Sequence, residues 1–301
     1  MSLPPLHSPN TALMEKSAVI GRSLWADARA RLFRNKAAVI SMYVLAFLVI
    51  IAIFGPLLWV HKFDKIYIDR VLNPPSWADM HPFGNDPQGR DLFVRLLYGL
   101  RISLAVGVVA TAVSLTIGVL WGATAGYLGG KIDQIMMRIV DILYALPFIF
   151  FVIILMVVFG RNIFLIFLAI GAVEWLTMAR IVRGQTLSLR KKEYIEAAQA
   201  AGLSTFDIIT KHIVPNLLGP VVVYVTLTIP AVILQESFLS FLGLGVQEPM
   251  TSLGNLISIG AKEMEIAPWL LIFPAAAMMI TLFCLNFIGD GLRDAIDPKD
   301  R

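Results

Sequence analysis

The chain has 301 residues, of which 57% are hydrophobic, and its mean hydropathy is +0.76. The apolar share of a soluble domain is about 45–50%, so this composition excludes a soluble protein and predicts an integral membrane protein in a lipid bilayer. The formal net charge is +4, but Lys and Arg flank apolar spans, which favours membrane orientation over binding to nucleic acid. The single cysteine, Cys284, excludes an internal disulfide, and the four scattered histidines predict no metal site.

The N-terminal residues 1–36 are polar and basic and contain no apolar core of a signal peptide, so we expect a cytosolic segment. Residues 37–60 supply the ~20 apolar residues that a bilayer needs and are predicted to form a first membrane anchor helix. Residues 61–97 are rich in Pro and Asp, which predicts an extracytoplasmic loop. Near its end lie three charged residues that are expected to anchor a helix at the membrane interface: Arg90, Asp91 and Arg95.

A second span is predicted at about residues 102–128. Small residues recur along it at a strict spacing of four: Ala110, Ser114, Gly118, Gly122 and Gly126. Small residues placed in this way let two helix backbones approach closely. The helix that packs there belongs either to this chain or to a partner subunit.

A third span is predicted at about residues 134–159, bent near its middle by Pro147. At its inner end Arg138 and Asp141 are three residues apart and are expected to pair. The Gly-Gly-Lys of residues 129–131 is not a phosphate loop, because Ala and Ile stand where the motif requires Gly and then Ser or Thr. The chain is therefore expected to bind no nucleotide.

The fourth span, residues 163–181, contains Glu174 about eleven residues from its start, close to the middle of a ~30 Å hydrocarbon core. A central acid costs roughly 2.5–3.5 kcal/mol on insertion scales, so Glu174 is expected to face a watery path or another helix. Two roles remain open. The carboxylate either lines a path for cationic cargo or is hydrogen-bonded to a neighbouring helix.

A polar loop, residues 188–212, separates the fourth and fifth spans and contains good helix formers up to Ala201. Gly202 is predicted to be a left-handed C-cap, and Ser204 with Asp207 to start a second helix. Four residues share one helical face, which we expect to be shallow and exposed: Tyr194, Ala197, Ala198 and Ala201. The acids Glu193 and Glu196 are expected to face a partner protein.

The order Glu196-Ala197-Ala198, Gly202 and Val214-Pro215 resembles the EAA motif of ABC-importer membrane subunits, although His212 and Val214 depart from the usual pattern. In that family the loop is the coupling helix that docks on the ATPase subunit. The resemblance therefore implies an ATPase-coupling role for six residues: Glu193, Glu196, Ala197, Ala198, Gly202 and Pro215. Residues 83–104 and 236–268 resemble stretches of the oligopeptide permease family.

The fifth span, residues 213–235, must be bent because it contains three prolines: Pro215, Pro220 and Pro230. Residues 236–268 are too interrupted by glycine and proline to cross a membrane and are predicted to form short interfacial helices that face outward. The last span is predicted at residues 269–288. Residues 294–301 are predicted to be a cytosolic tail, after a core permease domain of residues 98–293.

The sequence thus predicts an all-α integral membrane protein with six transmembrane helices and cytosolic termini, of the type I ABC-importer permease kind. The resemblance implies a multi-pass subunit of an ATP-driven oligopeptide importer in a bacterial inner membrane. Its partners would be a second, homologous permease subunit, two cytosolic ATPases that bind the ATP and Mg, an extracytoplasmic peptide-binding protein and the peptide substrate. This chain itself would carry no catalytic residue, cofactor or metal.

Three alternatives remain open. Close relatives of the same importer class carry dipeptides, nickel complexes or other small solutes. An autonomous channel or secondary transporter would work without an ATPase and usually shows an internal repeat, which the sequence lacks. An intramembrane protease would need a paired-Asp or HExxH constellation, and Asp141 and Asp290 have no Gly-x-Gly-Asp context.

Overall fold

The computed structural model describes residues 24–160 and 162–296. The segment 1–23 and most of the tail 294–301 therefore lie outside the described residues. In the described part the α-helices are α1 (Leu24–Arg34), α2 (Lys36–Leu58), α3 (Leu92–Leu128), α4 (Gly130–Ala145), α5 (Phe148–Phe159), α6 (Ile163–Leu189), α7 (Glu193–Ala200), α8 (Thr205–Phe241), α9 (Leu253–Lys262) and α10 (Trp269–Ile296). A short 3-10 turn, Ile68–Arg70, precedes α3, and no strand beyond isolated bridges forms in these ranges.

Five helices are long and apolar enough to cross a membrane, namely α2, α3, α6, α8 and α10. Helices α4 and α5 form a sixth span if they are counted together, although they are bent by 84° at their junction. Pro147 explains the break, because proline cannot donate a backbone N–H and holds the preceding Leu146 in an extended conformation. The predicted all-α fold with six spans is confirmed, and the bend expected at Pro147 is a sharp one.

The stripe of small residues on α3 packs against α6 of the same chain. A Cβ atom on Gly118 would lie 2.5 Å from the Cβ of Met178, and Cβ atoms on Gly122 and Gly126 would lie under 3.0 Å from Ala179 O and Thr186 Cβ of α6. Side chains larger than hydrogen would push the two helices apart. The stripe therefore serves packing within this chain, the first of the two alternatives.

Helix α3 begins at Leu92, ten residues before the second span predicted from the sequence. Asp91 explains this start, because its carboxylate accepts the N–H of Val94 at 2.9 Å and so caps the helix. Residues 92–97 are thus the first turns of α3 and do not belong to the preceding loop.

The charged residues at the start of α3, which are predicted to anchor the helix at the membrane interface, are buried within the chain. The Asp86 carboxylate lies 2.7 Å from the Nε atom of Arg90 and 3.3 Å from that of Arg95. Arg90 also donates to Glu248, 158 residues later, at 2.9 Å. The two outer loops, 61–91 and 242–252, fold over these side chains, and the predicted place of these residues at the membrane interface stays a prediction. The Arg90 guanidinium lowers the pKa of the Glu248 carboxyl by hydrogen bonding to it.

The same outer region brings together two histidines that are twenty residues apart in the sequence. The rings of His61 and His81 stack with their centroids 4.1 Å apart, and His61 Nδ1 lies 2.6 Å from the hydroxyl of Tyr67. His81 Nδ1 lies 2.8 Å from the buried Asp91 carboxylate. The loop 61–91 is therefore an ordered cover on the start of α3.

Helix α8 is 37 residues long and runs past the predicted end of the fifth span, through Glu236 to Phe241. Near its start, Ile208–Ile213 is π-helical, and the N–H of Val214 bonds to the carbonyl of Ile209, five residues back. The following α9 is a short helix, as predicted for part of 236–268. Ser103 of α3 links the two helices, because its hydroxyl donates to Glu236 at 3.4 Å and accepts the N–H of Leu253 at 3.0 Å.

Candidate coupling loop and membrane path

The candidate coupling loop, residues 188–212, contains the short helix α7 between the end of α6 and the start of α8, and the inner face of α7 packs against the rest of the chain. Ile195 is completely buried and Ala198 is 8% exposed, and both belong to an apolar cluster with Ile208 at the start of α8. The side-chain amide of Gln199 donates to the hydroxyl of Tyr127 at the end of α3, at 3.0 Å. Helix α7 is therefore attached to both α3 and α8.

The opposite face of α7 is exposed and carries both predicted acids, Glu193 and Glu196. Tyr194 is 42% exposed, and Ala197 and Ala201 are also exposed. The predicted face was wrong for Ala198, which points into the apolar cluster. A helix of eight residues has its own buried side, and the spacing of the alanines does not identify which side that is.

The turn after α7 has the predicted conformation, with Gly202 at φ +79°. The N–H of Leu203 bonds to the carbonyl of Ala198 at 3.2 Å, and the N–H of Gly202 bonds to that of Gln199 at 3.0 Å. These two bonds form a Schellman motif, which satisfies the last carbonyls of the helix. The predicted N-cap of α8 is also present, since the Ser204 hydroxyl accepts the N–H of Asp207 at 3.1 Å. Gly202 and Ser204 thus set the angle between α7 and α8.

Pro215 lies on the exposed side of α8, directly after the π-helical turn. Proline has no N–H to continue the α-helical ladder, and the wider π turn accommodates this gap before regular helix resumes. The coupling roles of the six predicted residues stay predictions.

Glu174 lies on α6, half-buried, and faces α8. Its Oε1 atom accepts a hydrogen bond from the side-chain amide of Gln235 at 2.6 Å. The bond to a neighbouring helix, one of the two alternatives, is therefore present. A role in lining a path stays a prediction, because the half-buried carboxylate keeps one side uncovered by the described chain.

Helices α4 and α6 are joined near the coupling loop by two ion pairs. Arg183 binds the two carboxylate oxygens of Asp133 through Nε at 2.5 Å and Nη2 at 2.6 Å. Arg180 donates to Asp141 at 2.9 Å. The predicted partner of Asp141 was Arg138, and this was wrong because helix α6 brings a closer guanidinium across from the facing side. The sequence analysis did not predict the ion pair between Asp133 and Arg183. An acid and a base at the cytosolic ends of two successive spans could have indicated it.

Two family models match the chain. One is described as the binding-protein-dependent transport system inner membrane component and matches residues 118–301. The other is described as the N-terminal TM domain of oligopeptide transport permease C and matches residues 23–75. The helical fold and these matches together define the class, which is the inner membrane component of a binding-protein-dependent transport system.

Similar proteins of known name indicate which members of this class the chain resembles. The oligopeptide transport system permease protein OppC of Haemophilus influenzae is 56% identical over 96% of this chain and 93% of its own length. OppC of Escherichia coli K12 is 57% identical over 95% of both chains. The dipeptide transport system permease protein DppC of Bacillus subtilis is 46% identical over 91% of this chain and 86% of its own length.

A solved structure, the inward-facing MetNI methionine ABC transporter, shares the fold. The match has a TM-score of 0.56 and 21% sequence identity, and covers 68% of this chain and 98% of the MetNI chain. The chain belongs to the oligopeptide transport permease C family of binding-protein-dependent inner membrane components. It is a multi-pass inner membrane protein.

Proposed function

We propose that this chain is one of two unlike membrane subunits of an ATP-driven oligopeptide importer. It forms half of the translocation path together with a second, homologous permease subunit. Two cytosolic ATPases supply the ATP hydrolysis, and an extracytoplasmic peptide-binding protein delivers the cargo. The chain itself performs no chemistry, and ATP and Mg bind to the ATPases.

The observation that carries this proposal is the attachment of α7 at the coupling loop. Its exposed acids and small residues leave a shallow surface for a partner, while Ile195 and Ala198 fix its inner face to α8. The Schellman turn at Gly202 holds α7 at a set angle to a helix long enough to cross the membrane. A displacement of α7 by an ATPase would therefore be passed to α8.

The cargo is argued from the relatives, because OppC proteins of two organisms share 56% and 57% identity with nearly the whole chain. Dipeptides are the second candidate, favoured by the 46% identity to the dipeptide permease of Bacillus subtilis. The two candidates differ in the length of peptide that competes for uptake.

The test is purification of this chain in mild detergent from its own host, followed by identification of the proteins that accompany it. We expect two ABC ATPases and a second permease, and ATP-driven uptake of tetrapeptides once these and the binding protein are reconstituted in vesicles. Uptake inhibited only by dipeptides would assign the second cargo. Purification without any ATPase, together with uptake that needs no ATP, would refute the importer proposal.

A further inference from the structure

A groove of about 560 Å³ lies between α4 and α6 near the coupling-loop ends of these helices. Its lining is strongly charged for a site beside membrane spans: Gln134, Met137, Arg138, Asp141, Arg180 and Arg183. Charged side chains at such positions are expensive to bury in lipid and mark a functional or water-filled site. The groove therefore requires an explanation beyond helix packing.

The groove has more positive charge than its own carboxylates neutralise. Arg183 is paired with Asp133 and Arg180 with Asp141, whereas Arg138 has no ion-pair partner among the described residues. Three guanidinium groups thus face two carboxylates, so this cluster has a net charge of +1. The Arg180 guanidinium also lies 4.2 Å from the ring centroid of Tyr144, which fixes its position. Its remaining N–H groups, and all those of Arg138, are open to an external anion.

The groove lies on the same helix as Glu174. Glu174, Thr177 and Arg180 follow one another at intervals of three residues, and each is half-buried, so they form a polar strip that winds about 120° around α6, whereas Met178 and Ala179 face α3. At ~1.5 Å per residue, Arg180 lies about 9 Å from Glu174 along the helix. Because such residues are costly in lipid, we expect this polar strip to face water or another helix, and the groove lies at its cytosolic end.

We propose that the groove formed by Arg138, Arg180 and Arg183 binds a carboxylate of the passing peptide at the cytosolic end of the path. The inference rests on the proposed import of peptides and adds an anion site to it. Every peptide with a free C-terminus carries a carboxylate, and guanidinium groups bind this group through paired hydrogen bonds. The site would hold the leading or trailing carboxylate of the cargo just before release.

An anionic lipid headgroup has the same chemistry and could reach a groove at this depth. One observation favours the cargo: the polar strip of α6 leads from Glu174, which is predicted to line the path, to the groove at Arg180. The experiment below separates the two sources.

The test uses the full complex of both permeases, two ATPases and the binding protein, reconstituted in phosphatidylcholine vesicles. Uptake is measured for one tetrapeptide with a free C-terminal carboxylate and for its C-terminal amide, at saturating binding protein. We expect Arg138→Gln to lower the ratio of acid to amide uptake about threefold, the effect of losing one exposed charge pair. Lys131→Gln removes an exposed cation of α4 outside the groove and should leave the ratio unchanged, and Arg138→Lys should keep it within about twofold of wild type.

Each outcome decides the proposal. A ratio in Arg138→Gln equal to that of wild type overturns the anion site and leaves the importer proposal intact. A wild-type complex that takes up neither peptide with ATP refutes the importer proposal itself. If Arg138→Gln lowers the uptake of both peptides equally, and only in vesicles that contain phosphatidylglycerol, the occupant is a lipid headgroup and the cargo site is refuted.

Discussion

Replacing Gly202 with valine tests the coupling turn without disturbing any packed side chain. A Cβ atom on Gly202 would meet no described atom within 4 Å, so the cost arises from the backbone alone. At φ +79° a β-branched residue costs about 1–2 kcal/mol, a factor of about 5–30 in the population of the turn. The two hydrogen bonds of the Schellman motif are lost in the alternative conformations, and α7 is then misdirected.

We expect Gly202→Val to abolish peptide uptake and cargo-stimulated ATP hydrolysis while the subunit still inserts into the membrane. Gly202→Asn should retain most of both activities, because asparagine tolerates the left-handed conformation. The matched control is Gly184→Ala, since Gly184 on α6 has equally open surroundings but ordinary helical φ, and alanine there improves helix propensity by up to about 1 kcal/mol. Near-normal uptake and ATP hydrolysis in Gly202→Val would remove this turn from the mechanism.

Three further outcomes are expected. Gly122→Leu should reduce the amount of folded subunit in the membrane severalfold, measured by immunoblot, because α3 and α6 cannot stay in contact; an unchanged amount would contradict the packing of these helices. In a Cys284→Ala background, an impermeant thiol reagent applied to intact cells with a permeabilised outer membrane should label cysteine at the exposed Ala78 but not at Thr205; labelling at Thr205 would reverse the topology. Glu174→Gln should keep assembly and uptake of neutral peptides but weaken uptake of lysine-rich peptides, and equal loss of both classes would point to a structural role.

The parts of the coupling loop that the sequence predicts well are those fixed by neighbouring residues. The left-handed turn at Gly202 and the cap at Ser204 depend on the chemistry of a few adjacent positions, so both could be read from composition and spacing. The stripe of small residues on α3 likewise indicated a close helix contact, although only the structure identifies α6 as the partner. The inward direction of Ala198 depends on an apolar cluster that α3 and α8 complete, and no local pattern reveals it.

The pairings that the sequence analysis missed concern charges whose partners are remote in the chain. Arg90 meets Glu248 from a loop 158 residues away, and Asp141 meets Arg180, 39 residues away, in place of its neighbour on the same helix. Hydropathy and periodicity describe one helix at a time, so they place such residues at a polar surface by default. Whether an ion pair is buried depends on how two helices or loops pack together, and the pattern of one segment alone does not reveal it.

The length of α8 has a mechanical consequence. At ~1.5 Å per residue its 37 residues follow a path of about 55 Å, which exceeds a hydrocarbon core of about 30 Å even with the bends expected at its prolines, so its two ends lie in different aqueous compartments. Pivoting by about 10° around its midpoint moves each end by about 5 Å, close to one helical turn. Near the outer end, Ser103 holds both Glu236 and the N–H of Leu253, so α9 is carried along by the same motion. If a partner ATPase pushes on α7, as proposed above, such a pivot would turn a small displacement on one side of the membrane into a rearrangement on the opposite side while every helix keeps its secondary structure.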